Sequence, residues 1–191
     1  MKRGLPILVL GLGLGLIPLH ASQSTGYWQQ RFNYRMNVKL IPEDHQLRVH
    51  SVINYVNESP DTLDRVYLHL YPRAFQENSV KYREFKHALG RQSRVRGFMN
   101  NIDTYKWDLQ IQSFQVTSSD QSRSEDYSID DTILKTMLPE PLAPGDSVTL
   151  DLNWTLVVGK LFERAGELNG QFNMAQWYPK PVVYDQEGWH P

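Results

Sequence analysis

The strongest pattern in this 191-residue chain is an alternation of apolar and polar side chains, which is the pattern expected of β-strands. It is cleanest at residues 148–158, where Val, Leu and Trp alternate with Thr, Asp and Asn. Pro144-Gly145-Asp146 comes just before this run and is typical of a turn. We therefore predict a long strand in an antiparallel sheet that has one wet face.

Similar alternation earlier in the chain predicts a hairpin. Its strands are residues 34–40 and 47–55, and the polar sequence at 42–45 forms the turn between them. A second turn at 57–61 leads into a third strand, which begins near Val66 and stops at Pro72. Residues 108–116 and 132–138 are weaker strand candidates, and the Ser- and Asp-rich residues 118–130 predict a surface loop.

One segment departs from the β pattern. Between residues 78 and 89, Tyr82, Phe85 and Leu89 recur at helical spacing and Gly90 follows as a C-cap, which predicts a short helix. Six basic residues lie between 81 and 96, and only Glu84 opposes them. They could form a site for an anionic polymer, or a solvated helix and loop. The balanced charge of the whole chain and the lack of interleaved aromatic residues favour the solvated surface.

These elements together predict a mainly β domain, either an antiparallel β-sandwich or a saddle-like sheet, with one short helix. An aromatic content of 12% is too high for a disordered chain. The chain has no cysteine, which excludes a disulfide scaffold and thiolate chemistry.

The first residues predict a secretory signal peptide. Lys2 and Arg3 precede an apolar run at 5–19, and Ala21 precedes a polar stretch, so we expect residues 1–21 to be removed by cleavage after Ala21. The alternative is a membrane anchor, but the run is shorter than the ~20 residues that span a bilayer. We therefore expect an exported protein, periplasmic or extracellular, whose residues 22–191 carry 18 basic and 21 acidic side chains.

Motifs for catalysis are missing from the sequence. No histidine is followed by Glu, so there is no H-E-x-x-H zinc motif, and there is no G-x-S-x-G, S-x-x-K or phosphate-binding glycine loop in the mature region. Residues 97–101 (GFMNN) are superficially similar to a G-x-M-E-N exopeptidase motif. Asn100 stands where that motif has its acid, so we interpret the similarity as coincidence.

The last twenty residues are unusually aromatic, with two Trp, two Tyr and one Phe between 172 and 191. Such rings must be buried against something. They either close the core of this domain or line a surface that meets a further domain, and we expect a mixture of the two.

This region resembles a known family. The sequences AQWYPK at 175–180, VYD at 183–185 and GW at 188–189 are similar to the end of the N-terminal domain in bacterial members of the aminopeptidase N-like gluzincin family. The opening YWQQ at 27–30, the turn at 54–60, VYLHLYP at 66–72 and RGF at 96–98 fit the same family. The resemblance covers residues 27–191.

The resemblance implies a zinc metallopeptidase that removes N-terminal residues from peptides. In that family a saddle-like, mostly antiparallel β domain packs on a thermolysin-like catalytic domain, which holds the zinc ligands, the general-base Glu and the G-x-M-E-N loop. Residues 22–191 would then be the N-terminal β domain, truncated at its C-terminal end, and would be inactive alone. The resemblance also implies that Gln176 helps to bind the free amine of the substrate. The alternative is that Gln176 forms hydrogen bonds with strand backbone near the edge of the domain.

The expected partners follow from this interpretation. They are the catalytic domain of the same enzyme and the N-terminus of a peptide substrate, with no nucleic acid and no stable membrane anchor. We expect no cofactor in this chain and zinc in the catalytic domain. The alternative hypothesis is a free-standing exported β-sandwich that binds a protein or polysaccharide through exposed aromatic residues.

Overall fold

A computed structural model describes residues 26–77, 79–88, 106–161 and 164–191 of the chain. Several sequence-based predictions lie outside these residues: the signal peptide at 1–21, the helix C-cap at Gly90, the basic residues at 91–96 and the segment 97–101. Within the described ranges, no helix is both long enough and apolar enough to cross a membrane.

Most of the described chain is arranged in two antiparallel sheets, as predicted. The first has five strands in the order β1 (Arg31–Ile41), β2 (Gln46–Val56), β8 (Ser147–Val157), β4 (Asp108–Thr117) and β5 (Arg123–Ser124). The second has four, in the order β11 (Lys180–Pro181), β3 (Leu63–His69), β7 (Ile133–Leu142) and β6 (Tyr127–Asp130).

Smaller elements complete the fold. Two short hairpins pair β9 (Gly166–Leu168) with β10 (Gln171–Asn173) and β12 (Tyr184–Asp185) with β13 (Gly188–Trp189). The predicted helix is observed as α1 (Val80–Ala88). Two 3-10 turns lie at Pro42–Asp44, inside the β1–β2 hairpin, and at Tyr71–Phe75, after β3.

One continuous core lies between the two sheets, which makes the fold β-sandwich-like. The alternation in β8 is its clearest expression, because Leu150, Leu152 and Leu156 are fully buried while Asn153 between them is exposed. Trp154 is also buried, and its Nε1–H donates to the Ser51 hydroxyl at 2.9 Å across the β2–β8 pair. The mainly β fold class with one short helix is therefore confirmed.

A bulge explains why β4 has a weak sequence pattern. The register with β8 shifts between Ile111 and Ser113, so the inward positions change from Leu109 and Ile111 to Phe114 and Val116. An extra residue in one strand reverses the parity of all that follows. Strict alternation is lost from the sequence although the strand is continuous.

The predicted surface loop at 118–130 is wrong in part. This segment contains β5 and β6, and β6 pairs with β7 at the edge of the second sheet. Tyr127 and Ile129 of β6 pack against the core, while Ser128 and Asp130 face away from it. Two apolar residues are too few for the period to stand out among so many Ser and Asp residues.

Candidate functional site

Gln176, the residue singled out by the sequence, lies at the rim of a cavity that we call the Gln176 pocket. The pocket has a volume of about 150 Å³, and it is lined by Tyr71, Phe75, Lys81, Trp107, Arg164 and Gln176, among others. These residues come from the 3-10 turn after β3, the helix, the start of β4 and the segments on both sides of the β9–β10 hairpin.

Capping interactions fix the first wall of the pocket. The Ser79 hydroxyl accepts from the Tyr82 N–H at 3.0 Å and donates to the Ala74 carbonyl at 2.7 Å, so it ties the helix start to the 3-10 turn. The Asp131 carboxylate accepts from the Val80 N–H at 3.1 Å. Arg73 donates to the Asp131 carbonyl at 2.8 Å. The turn and the helix are therefore held together and tied to the connection between β6 and β7.

The interior of the pocket is aromatic. Trp107 is only 2% exposed, and its ring lies 6.1 Å from the ring of Phe75. The Lys81 ammonium is 4.3 Å from the centroid of the Phe75 ring, which is a cation–π arrangement. The Lys81 side chain therefore packs against the aromatic side of the pocket.

Gln176 is held in an unusual conformation. Its φ of 52° is in the left-handed region, which costs a residue with a Cβ roughly 1–2 kcal/mol. Its side chain is exposed, and its Oε1 accepts from Nη2 of Arg164 at 3.3 Å. The amide oxygen that would accept from a substrate ammonium therefore already faces a guanidinium group.

Lys180 and His69 lie next to the pocket, with the Lys180 ammonium 5.9 Å from the centroid of the Tyr71 ring. His69 stacks on Tyr71 with ring centroids 4.7 Å apart, and it pairs across the sheet with Lys180. Burial, and then the charge of Lys180, hold the pKa of His69 below its usual value. Among the lining residues that the structure describes, none is a carboxylate.

A second concave surface, the aromatic cleft, lies between the start of β1 and the β12–β13 hairpin. Its lining includes Tyr27, Trp28, Phe32, Val183 and Tyr184, and its volume is about 320 Å³. The Trp28 and Tyr184 rings are 5.6 Å apart, and Tyr27 is 82% exposed. The cleft is thus an open aromatic surface.

The remaining aromatic residues of the C-terminal segment contribute to the core. The Trp177 ring lies 5.7 Å from that of Trp154, and the Trp189 ring lies 5.3 Å from that of Tyr67. Tyr178 packs edge-on against Tyr34, whose hydroxyl donates to the Pro179 carbonyl at 2.9 Å. The segment therefore packs against both sheets.

Sequence reasoning missed an apolar surface on β1, which we call the β1 stripe: Phe32, Tyr34, Met36, Val38 and Leu40. These residues pair with the inward-facing residues of β2, so they point to the same side as the core. The second sheet does not cover them all, and Phe32, Val38 and Leu40 remain 40%, 48% and 41% exposed. Alternation indicates which side a residue faces, but it does not indicate whether another layer covers that side.

The histidines do not form a metal site in the described ranges, where no group of three or more His, Asp or Glu side chains is arranged to hold an ion. His50 lies on the wet face of the first sheet, with Nε2 3.0 Å from Asp151 Oδ1. His190 Nε2 is 2.8 Å from Asp185 Oδ1. Both pairs are partly exposed.

No protein-family model matches the chain, and no curated protein matches it significantly.

Proposed function

We propose that this chain is the non-catalytic N-terminal β domain of an exported zinc aminopeptidase-like protein. In that protein it would cover one side of the active-site cleft and help to hold the N-terminus of the substrate. The zinc of the neighbouring catalytic domain would activate a water molecule for attack on the scissile carbonyl. The chain alone would not hydrolyse peptides, because its sequence has no H-E-x-x-H motif.

The β1 stripe is the observation that best supports a docked domain. It is an apolar continuation of the core-facing side of the first sheet, and three of its side chains are at least 40% exposed. An apolar surface that continues a core and stays exposed is typical of an interface. Arg31, Asn33, Arg35, Asn37 and Lys39 provide the polar residues on the opposite face of the same strand.

The position of Gln176 is compatible with a role at the cleft but sets a condition on it. Its Oε1 accepts from Arg164, so an incoming ammonium group would meet a nearby positive charge. A carboxylate from the catalytic domain would have to offset that charge before Gln176 could accept from the substrate amine. We therefore expect Gln176 to contribute only in the assembled protein.

The proposal is tested on the native protein. An antibody against this domain is used to isolate the protein from the cells that produce it. We expect the isolated material to contain zinc and to hydrolyse aminoacyl 4-nitroanilides, with loss of activity in chelator and recovery on adding zinc. The chain produced alone is expected to show no turnover with or without zinc. Native material without zinc-dependent turnover, or chelator-sensitive turnover by the chain alone, would contradict the proposal.

A pair of variants tests the β1 stripe within that protein. Val38→Asp places a charge on the exposed apolar face, and Asn37→Asp places the same charge on the polar face of the same strand. Val38→Asp is expected to lower the zinc-dependent turnover while leaving the thermal unfolding of the chain alone within a few degrees of the wild type. Equal turnover in the two variants would show that the β1 stripe is not part of the interface.

The aromatic cleft supports the second candidate, a free-standing β-sandwich that binds a protein or polysaccharide partner. The exposed ring of Tyr27 and the half-buried ring of Trp28 provide flat apolar surfaces for stacking. Affinity electrophoresis in gels that contain soluble polysaccharides tests the polysaccharide form of this candidate. Retardation that is lost in Trp28→Ala and kept in Trp177→Phe would favour it, and no retardation in any gel would count against it.

A further inference from the structure

The aromatic cleft has the size and the walls of a site for a small ligand. Its volume of about 320 Å³ is at the lower end of the range of about 300–1,000 Å³ that small-molecule sites occupy. The rings of Trp28 and Tyr184 lie 5.6 Å apart and are inclined by 33°, and the ring of Tyr27 is 82% exposed. A small group that enters the cleft therefore meets more than one aromatic ring.

Carboxylates lie at one end of the cleft. Asp185 lines the cleft itself, and Glu187 lines a smaller cavity of about 270 Å³ that shares Trp28 with it. The hydroxyl of Tyr184 donates to Asp61 Oδ2 at 2.9 Å, so a third carboxylate lies next to the aromatic wall. Among the described lining residues of the two cavities, none is Lys, Arg or His.

The cations next to the lining residues are matched by carboxylates. Arg31 precedes Phe32 in the sequence, and its guanidinium pairs with Glu58 at 2.8 Å. His190 Nε2 lies 2.8 Å from Asp185 Oδ1. Glu187 is exposed, and its side chain makes no ion pair with any residue that the structure describes. Carboxylates therefore outnumber cations at this end of the cleft whether or not His190 is protonated.

Aromatic rings and negative charge together select an organic cation. The face of an aromatic ring is negative, and it attracts a cation most strongly when the ring is that of Trp. A quaternary ammonium group fits such a site better than a primary ammonium group, because methyl groups cover its charge and the primary group is strongly hydrated. The carboxylates at the end of the cleft add attraction for any cation and repel anions.

We propose that the aromatic cleft binds a quaternary ammonium group, with Tyr27, Trp28 and Tyr184 as its aromatic partners and with Asp185 and Glu187 as the attracting charges. The group is carried either by a small soluble molecule or by the headgroup of a lipid, and the experiment below separates the two carriers. Neither function proposed above assigns a charged ligand to the cleft. The binding is a property of this chain alone, so it stands or fails independently of the proposed function.

The test uses three probes of similar shape and different charge: choline, 3,3-dimethylbutanol and 3,3-dimethylbutanoate. In the alcohol, a carbon atom replaces the ammonium nitrogen of choline. The full chain is titrated with each probe, and binding is followed by NMR at the Trp28 indole N–H and at the methyl groups of Val183, which also lines the cleft. We expect choline to bind about fivefold more tightly than the alcohol, and the anion to bind most weakly. Equal affinity for choline and the alcohol, or no binding of choline, would overturn the proposal.

Variants identify the aromatic and the charged partners, with the Val183 signals as the readout. Trp28→Leu is expected to reduce the preference for choline over the alcohol to less than about twofold, and Glu187→Gln to reduce it by a smaller factor. Glu43→Gln is the matched control, because Glu43 is an exposed residue in the turn at the far end of β1 from Phe32. Should Trp28→Leu and Glu187→Gln both keep the full preference, the assignment of the site would be wrong.

Vesicles of phosphatidylcholine separate the two carriers. Sedimentation of the chain with these vesicles that choline inhibits and that Trp28→Leu abolishes indicates a lipid headgroup as the ligand. Binding of choline without such sedimentation indicates a soluble molecule. Sedimentation that neither choline nor Trp28→Leu reduces would place the lipid contact elsewhere on the chain and overturn the headgroup form of the proposal.

Discussion

Asn57 is expected to be the most sensitive polar residue of the fold. It is fully buried in the connection between β2 of the first sheet and β3 of the second. Its Nδ2 donates to the Asp61 carbonyl at 2.7 Å and to the Leu142 carbonyl at 3.0 Å. Its Oδ1 accepts from the Ser59 N–H and hydroxyl. The side chain therefore joins the two sheets at one corner.

The expected loss in the free energy of unfolding follows from the polar groups that lose the Asn57 side chain as a partner in Asn57→Ala. The Leu142 carbonyl and the Ser59 N–H and hydroxyl make buried contacts with Asn57. A buried polar group that loses its partner costs about 1–3 kcal/mol, so we expect a total loss of about 4 kcal/mol in the free energy of unfolding. This is a large part of the ~5–15 kcal/mol that stabilises an ordinary domain.

The assay is urea unfolding followed by tryptophan fluorescence, with Asn33→Ala as the control. Asn33 is an exposed residue on β1, and its replacement is expected to change the free energy of unfolding by less than about 0.5 kcal/mol. Asn57→Asp keeps the shape but buries a carboxyl group, so its stability should fall as the pH rises above about 4. A loss in Asn57→Ala no larger than in Asn33→Ala would refute this reasoning.

Two further predictions concern the C-terminal third of the chain. Gly166 has a φ of 129°, and an added Cβ would lie 2.5 Å from Leu161 Cα, so Gly166→Ala should lose about 3 kcal/mol in urea unfolding. Gly145→Ala, with a φ of 85° and open space around it, should lose only about 1 kcal/mol. The Asp185 hydrogen bond raises the pKa of His190, and the same contact lowers the pKa of Asp185. The pair should therefore stabilise the fold fully only below the unfolded pKa of His190 and above that of Asp185. The contribution of the pair is lost as the pH rises through the raised pKa of His190 or falls through the lowered pKa of Asp185. NMR titration of His190 in the wild type and in Asp185→Asn checks this prediction. A His190 pKa that is the same in both proteins would contradict it.

The long strands could be predicted because each has one apolar and one polar face over many residues. The first hairpin was predicted at 34–40 and 47–55, and the structure has it at Arg31–Ile41 and Gln46–Val56. The helix was predicted at 78–89 and is observed at Val80–Ala88. Residues 89 and 90 are not among the residues that the structure describes. Period and turn chemistry are local properties, so a single sequence carries them.

The two concave surfaces could not be predicted in the same way. The Gln176 pocket brings together Tyr71, Lys81, Trp107 and Arg164, which are far apart in the sequence and meet only when the sheets pack. Gln176 was singled out through a family resemblance, which did not indicate that Arg164 would contact it. Such clusters depend on tertiary packing, and local periodicity contains no information about them.

Hydrogen–deuterium exchange, compared between the native protein and the chain alone, tests the proposed function most directly. The account predicts slower exchange in the native protein for peptides that cover β1 (Arg31–Ile41) and the segment around Gln176, because a docked catalytic domain would cover both. Peptides from β8, which lies in the middle of the first sheet, should exchange equally slowly in both samples. Identical exchange at β1 and at Gln176 in the two samples would contradict the central claim that this domain works against a second one.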